Sequence, residues 1–116
     1  MGESLASEDM NKYRNQPVQI GAEKYRSKRE AKRHQELLLL ERCGDIERLR
    51  REVPFVLAPG VKLDGRMKPP LRYVADFVYS RQGQQVVEDA KGVRTPLYRA
   101  KRHLMASILG IEIREV

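Results

Sequence analysis

The chain is short of the residues that build two common kinds of site. It has one cysteine, Cys43, in 116 residues, and no tryptophan. A lone cysteine excludes a disulfide framework and a thiolate zinc cluster, and histidines as far apart as His34 and His103 argue against a structural zinc site. This is the pattern of a reduced, intracellular protein. Aromatics are scarce, five tyrosines and two phenylalanines, and no stretch carries the paired stacking aromatics of single-strand RNA readers. The longest aliphatic run, Leu37 to Leu40, is far below the ~20 residues of a membrane-spanning helix, and the N-terminus lacks an apolar signal core. A cytoplasmic location without membrane contact is therefore expected.

Positive charge is abundant. Lys and Arg total 23 against 16 acidic residues, a net charge of +7, which favours a polyanionic partner. The length is that of one ordinary domain, able to bury about two-thirds of its unfolded surface. Residues 1–10 are polar, small and aperiodic and read as a disordered tail. Residues 11–116 read as a single domain, with no internal repeat.

Ser27 as N-cap, Glu30 three residues on, the leucines at 37 to 40 and Gly44 just past the end predict a first helix. Pro54 to Leu57 predicts a short strand. Pro59-Gly60 and Asp64-Gly65 predict turns, followed by a basic, proline-rich loop at Lys68-Pro69-Pro70. Tyr73 to Tyr79 and Gln84 to Lys91 predict two strands joined at Gln82-Gly83 as a hairpin. Thr95-Pro96 opens a second helix, with apolar residues at Leu97, Ala100, Leu104 and Ile108 and a stop at Gly110. Ile111, Ile113 and Val116 close the chain as a strand. The fold class is α/β, in the order helix, three strands, helix, strand.

One stretch of that order carries chemistry, Val86-Val87-Glu88-Asp89-Ala90-Lys91-Gly92. Side chains in a strand alternate, so Asp89 and Lys91 point the same way, with Cα atoms about 6.5 Å apart. Asp76 stands alone among apolar neighbours on the preceding strand. Carboxylates on adjacent strands suit a hard cation, and an ammonium suits the place where an attacking water and a scissile phosphate meet. Plainer readings exist: Asp76 paired with an arginine such as Arg72, and Asp89 with Lys91 as a surface ion pair worth under about 1 kcal/mol. The cost of burying an unpaired carboxylate favours the site. Glu88 points to the opposite face, toward solvent or behind the site, unless a bulge exchanges it with Asp89. Glu30 reads equally as the capping-box partner of Ser27 and as a further site residue. Arg94, Arg99, Lys101 and Arg102 form a stretch without acids, suited to phosphate contact or simply to solvation.

The segments Asn11-Lys12-Tyr13-Arg14-Asn15, Ser27-Lys28-Arg29-Glu30-Ala31, Tyr73-Val74-Ala75-Asp76-Phe77, Val87-Glu88-Asp89-Ala90-Lys91-Gly92, Tyr98 with Lys101, and Gly110 to Val116 occur in an order that resembles the PD-(D/E)XK, or restriction-endonuclease-like, nuclease superfamily. More closely, they are similar to a family of small phage and prophage proteins placed in that superfamily. The proline of the superfamily's name is absent, since Ala75 precedes Asp76. The resemblance implies an αβββαβ core, a mixed sheet flanked by helices, with metal ligands at Asp76 and Asp89, a catalytic Lys91 and a helix-one glutamate, Glu30. Mg²⁺, or Mn²⁺ in its place, would be held by Asp76, Asp89 and the Ala90 carbonyl, with Glu30 contributing through a water.

The activity so implied is a Mg-dependent DNA endonuclease leaving 5′-phosphate and 3′-hydroxyl ends, in the cytoplasm of a bacterial host. It is expected to select branched DNA as a Holliday junction resolvase does, and to act as a homodimer where two cuts are needed. Lys28, Arg29, Lys32 and the Arg94 to Arg102 stretch would hold the DNA backbone, and no organic cofactor is expected. The rival is a non-catalytic nucleic-acid-binding protein with a nuclease-like fold. The joint presence of Asp76, Asp89 and Lys91 argues against it.

Overall fold

The computed structural model describes residues 16–116. The tail expected at 1–10 and the motif at 11–15 lie outside the described residues. The chain is a mixed α/β protein with two helices and a mixed four-stranded sheet among the described residues.

A short antiparallel hairpin, β1 (Val18–Ile20) and β2 (Glu23–Tyr25), leads into helix α1 (Lys28–Arg42). The Ser27 hydroxyl accepts the Glu30 N–H at 3.1 Å and so caps the helix. Glu30 does not close the box on Ser27. Its Oε1 accepts the Arg26 N–H at 2.8 Å, one residue earlier.

Strand β3 (Glu47–Ala58) is far longer than the stretch expected from Pro54 to Leu57. Its first half, Glu47-Arg48-Leu49-Arg50-Arg51-Glu52, is too charged to read as a strand. It forms because β3 is the edge of the sheet order β3-β6-β7-β8, where one side of the backbone meets solvent. The same edge position tolerates Pro54. A second hairpin, β4 (Val61–Leu63) and β5 (Arg66–Lys68), replaces the expected turns and loop. Asp64 and Gly65 have φ of 51° and 77°, the left-handed pair that a two-residue hairpin turn requires.

Strands β6 (Leu71–Arg81) and β7 (Gln84–Asp89) form the expected hairpin, with Phe77 opposite Glu88 and Val78 opposite Val87. Strand β7 stops at Asp89, so Ala90 and Lys91 lie just beyond it rather than inside it. Helix α2 (Pro96–Leu109) begins at the Thr95 cap and ends at Gly110, φ 67°. The closing strand shrinks to β8 (Arg114–Glu115), which runs parallel to β7 with Glu88 opposite Arg114 and Asp89 opposite Glu115.

Each helix covers a core. Phe77 and Tyr79 pack with Leu37 of α1, whereas Tyr73, Ala75 and Val78 pack with Tyr98 and Met105 of α2. Strict alternation would keep Tyr73, Ala75, Phe77 and Tyr79 on one face. The faces exchange between Ala75 and Phe77, and Asp76 sits at the exchange. Across the ladder, Arg51 pairs with Phe77 and Val53 with Ala75, and Glu52 between them holds φ at 53°. The irregular backbone is therefore opposite Asp76. It turns the sheet so that this aspartate faces the start of α1.

Candidate active site

Asp76, Asp89 and Glu30 are 2%, 1% and 2% exposed, and all three carry polar contacts that fix them. Asp76 Oδ2 accepts the Ala90 N–H at 2.8 Å, which ties β6 to the end of β7. Its Oδ1 accepts a bond from the Arg26 guanidinium. Asp89 Oδ2 accepts from the Tyr73 hydroxyl, while Asp89 Oδ1 stands 3.5 Å from Lys91 Nζ and accepts no hydrogen bond. Lys91 in turn lies over the Tyr98 ring, 4.7 Å from its centroid. Glu30 Oε2 is also buried without a hydrogen bond, 3.6 Å from Arg51 Nη2.

A cavity of about 130 Å³ is lined by Arg26, Ser27, Glu30, Asp76, Ala90 and Lys91, with the turn that follows, and Asp89 adjoins it through Lys91 rather than lining it. A larger cleft, about 780 Å³, runs between β7 and the last residues and shares only Arg102 with the expected site. Chemistry follows charge rather than volume, and the smaller cavity holds the carboxylates. Burial pushes the Asp76 carboxyl up to about 7, and the negative charge of Asp89 adds to that, against the Ala90 N–H and Arg26, which pull it down. The Tyr73 hydroxyl is also pushed up, by burial first and by Asp89 second, so it stays a donor at neutral pH.

Sequence reasoning named Glu30, Asp76, Asp89, Ala90 and Lys91, and the structure brings all of them together. Arg26, Tyr73 and Arg51 it did not place. Arg26 and Asp76 are 50 residues apart, and no local pattern marks them as partners. Arg72 is not the partner of Asp76. Glu88 is a correction: neither at solvent nor behind the site, it is fully buried on the α1 face. There it pairs with Arg33 through bonds of 2.8 and 2.7 Å and accepts from the Tyr79 hydroxyl.

The basic residues divide. Lys28, Arg29, Lys32 and Arg99 are exposed, and Lys101 is half-buried. Arg94 and Arg102 are held by Glu115 at 2.7 and 3.1 Å, so part of their charge is already neutralised inside the fold. His34 packs in the core, with its ring 2.6 Å from the Tyr25 hydroxyl and stacked near Phe77, and His103 is exposed.

A family model described as "Protein of unknown function (DUF1064)" matches residues 10–110. The chain belongs to the DUF1064 family. No curated protein and no solved structure matches this DUF1064 chain. The match spans α1, β6, β7 and the whole of α2, so Glu30, Asp76 and Asp89 all lie inside the DUF1064 region.

Proposed function

We propose that the chain is a metal-dependent DNA endonuclease with a restriction-endonuclease-like core. The observation that carries this reading is that buried Asp76 and Glu30 line one cavity with buried Asp89 beside it at Lys91, and that two oxygens of this group, Glu30 Oε2 and Asp89 Oδ1, have no hydrogen bond. Such an arrangement costs stability. Groups kept at that cost in a cleft are candidates for chemistry.

Hard carboxylate oxygens fit a hard divalent cation such as Mg²⁺ or Mn²⁺. Among the described residues no three such side chains are gathered to ligate one ion as they stand, and the Arg26 guanidinium holds Asp76 Oδ1. The residues that would hold the cation are Asp76 and Asp89, with the Ala90 carbonyl and, through water, Glu30. When bound, the ion would polarise a phosphoryl oxygen and lower the pKa of a water.

The chain's own groups supply the rest. The Tyr73 hydroxyl and the Ala90 N–H orient the two aspartates. Lys91, held between Asp89 and the Tyr98 ring, sits where its ammonium can orient the attacking water and offset charge on the transition state. Exposed Lys28, Arg29, Lys32 and Arg99 would take the phosphate backbone, with Lys101 at the margin.

The Arg26–Asp76 contact favours one alternative, a non-catalytic DNA-binding protein in which arginine stands where a cation would. Labelled linear and branched DNAs, incubated with Mg²⁺ or Mn²⁺ and with chelator, separate the two. The nuclease reading expects metal-dependent cutting that Asp89→Asn abolishes while DNA affinity persists. Cutting by the wild type in excess chelator removes the metal. Tight binding with no cutting under any of these conditions selects the alternative.

A further inference from the structure

We infer that the β4–β5 hairpin is a second DNA-contacting element, a β-ribbon that enters a groove of duplex DNA away from the cavity. All six of its strand residues are exposed. Its register pairs Val61 with Lys68, Lys62 with Met67 and Leu63 with Arg66. Alternation therefore sets Arg66 and Lys68 on one face beside Val61 and Leu63, and Lys62 on the other. None of the ion pairs among the described residues uses Lys62, Arg66 or Lys68. Asp64 at the turn is the sole acidic residue from Pro59 to Arg72, against Lys62, Arg66, Lys68 and Arg72. A hairpin kept only for connection needs neither three cations without ion pairs among the described residues nor exposed aliphatics such as Leu63 at 53% and Met67 at 69%.

The ribbon is also aimed. It continues the β3–β6 pair, and its base is stiffened by Pro59 on one side and Pro69-Pro70 on the other. At Gly60 a Cβ would come within 2.8 Å of the Lys68 carbonyl oxygen, so the two strands close tightly there. The major groove of B-DNA, about 12 Å wide, admits a two-stranded ribbon. Along the chain Arg66 is ten residues from Asp76, with β5 and β6 separated at Pro69-Pro70, so the two are at most roughly 33 Å apart at ~3.3 Å per residue. One turn of B-DNA is about 34 Å. Duplex bound with a phosphate at the cavity therefore has the hairpin within about one helical turn of it. The location of the cut in this statement rests on the nuclease reading; the DNA contact does not.

The test is the variant Lys62→Ala with Arg66→Ala and Lys68→Ala, compared with the intact chain for binding to duplex DNA across a salt series, in an Asp89→Asn background. Three lost phosphate contacts should flatten the log–log salt slope by about 2–3 and weaken binding about ten- to a hundredfold near 0.1 M salt. Melting temperature should not move, since the side chains are exposed. In a hydroxyl-radical footprint, protection about one helical turn from the main protected site should vanish. An unchanged salt slope overturns the proposal whatever happens to cutting, as does failure of the intact chain to bind duplex DNA. Tighter binding to duplex RNA, whose major groove is too narrow for a ribbon, overturns it too. Loss of slope in a protein that never cuts DNA would remove the nuclease reading and leave the hairpin contact standing.

Discussion

Asp76 is the residue on which stability and chemistry pull apart. Its folded carboxyl titrates near 7, raised from an ordinary 3.8. A raised value means that its contribution to stability is full below about pH 4 and is lost as pH rises through about 7. The metal-free protein should melt lower at pH 8 than at pH 5, and Asp76→Asn should flatten that slope. At pH 8 the variant is expected to melt roughly 5 °C higher, the shift made by about 1 kcal/mol in a domain of this size. Calorimetry in chelator checks both, and a wild-type profile flat from pH 5 to 8 would deny the raised carboxyl. Lys91→Ala should lower the cleavage rate at least about a hundredfold while DNA affinity changes less than about threefold; parallel losses would make it an ordinary phosphate contact. Glu30→Gln keeps an oxygen for the Arg26 N–H, so melting should stay near normal while cleavage falls, and full activity would leave Glu30 only its bond to the Arg26 backbone. Asp76, Asp89 and Lys91 stood out in the sequence as charged residues in apolar strand-forming stretches, although Lys91 lies just past the end of β7 and Asp76 at a break in alternation. Arg26, Tyr73 and Arg51 did not, because each pairs with a carboxylate on another element, Tyr73 with Asp89, Arg51 with Glu30 and Arg26 with Asp76.

At the scale of elements, caps announced the helices and turn pairs announced the β6–β7 hairpin, because those signals are local. Strand β3 and the β4–β5 hairpin were hidden, the first by charge on an edge and the second by a turn pair that reads equally as loop. The face exchange at Asp76 was also invisible, since it depends on a left-handed Glu52 in the neighbouring strand. Glu88 shows what else alternation alone misses. Helix α1 lays Arg33 over it, so a charged residue on the far face became the buried tie between α1 and β7. Removing one member leaves an uncompensated charge, and Glu88→Ala should cost about 3–5 kcal/mol in urea unfolding. Replacing both, Arg33→Met with Glu88→Leu, should recover most of that loss. A Glu88→Ala effect below about 1 kcal/mol would show the pair to be idle.

The whole molecule offers basic groups on α1, on α2 and on the β4–β5 hairpin, and no helix placed to read base edges was evident from its sequence. Phosphate contacts without base readout recognise shape, so junctions or flaps should be cut faster than linear duplex of the same sequence at matched salt. Equal rates, or cutting confined to one short sequence, would refute shape selection and leave the chemistry intact. Where a junction needs two cuts, a homodimer is expected, and sedimentation with and without junction DNA measures it. Among the described residues no helix is long and apolar enough to cross a membrane. Composition shows the excess of positive charge, whereas the placement of Arg26 and Lys91 beside the cavity required the fold.

The parallel pairing of β8 with β7 has a consequence in time. In the β3–β6–β7 meander a two-residue turn joins β6 to β7 and the β4–β5 hairpin joins β3 to β6, but β8 reaches β7 only after the whole of α2 has been traversed. Loop closure makes such a contact late. The meander, which already carries Asp76 and Asp89, is expected to be largely formed at the folding barrier while Ile113, Arg114 and Glu115 dock afterwards. Ile113, buried in the α2 core, then becomes a brake on unfolding: Ile113→Val should speed unfolding several-fold and leave the refolding rate nearly unchanged, and stopped-flow arms that shifted equally would place β8 in the nucleus instead.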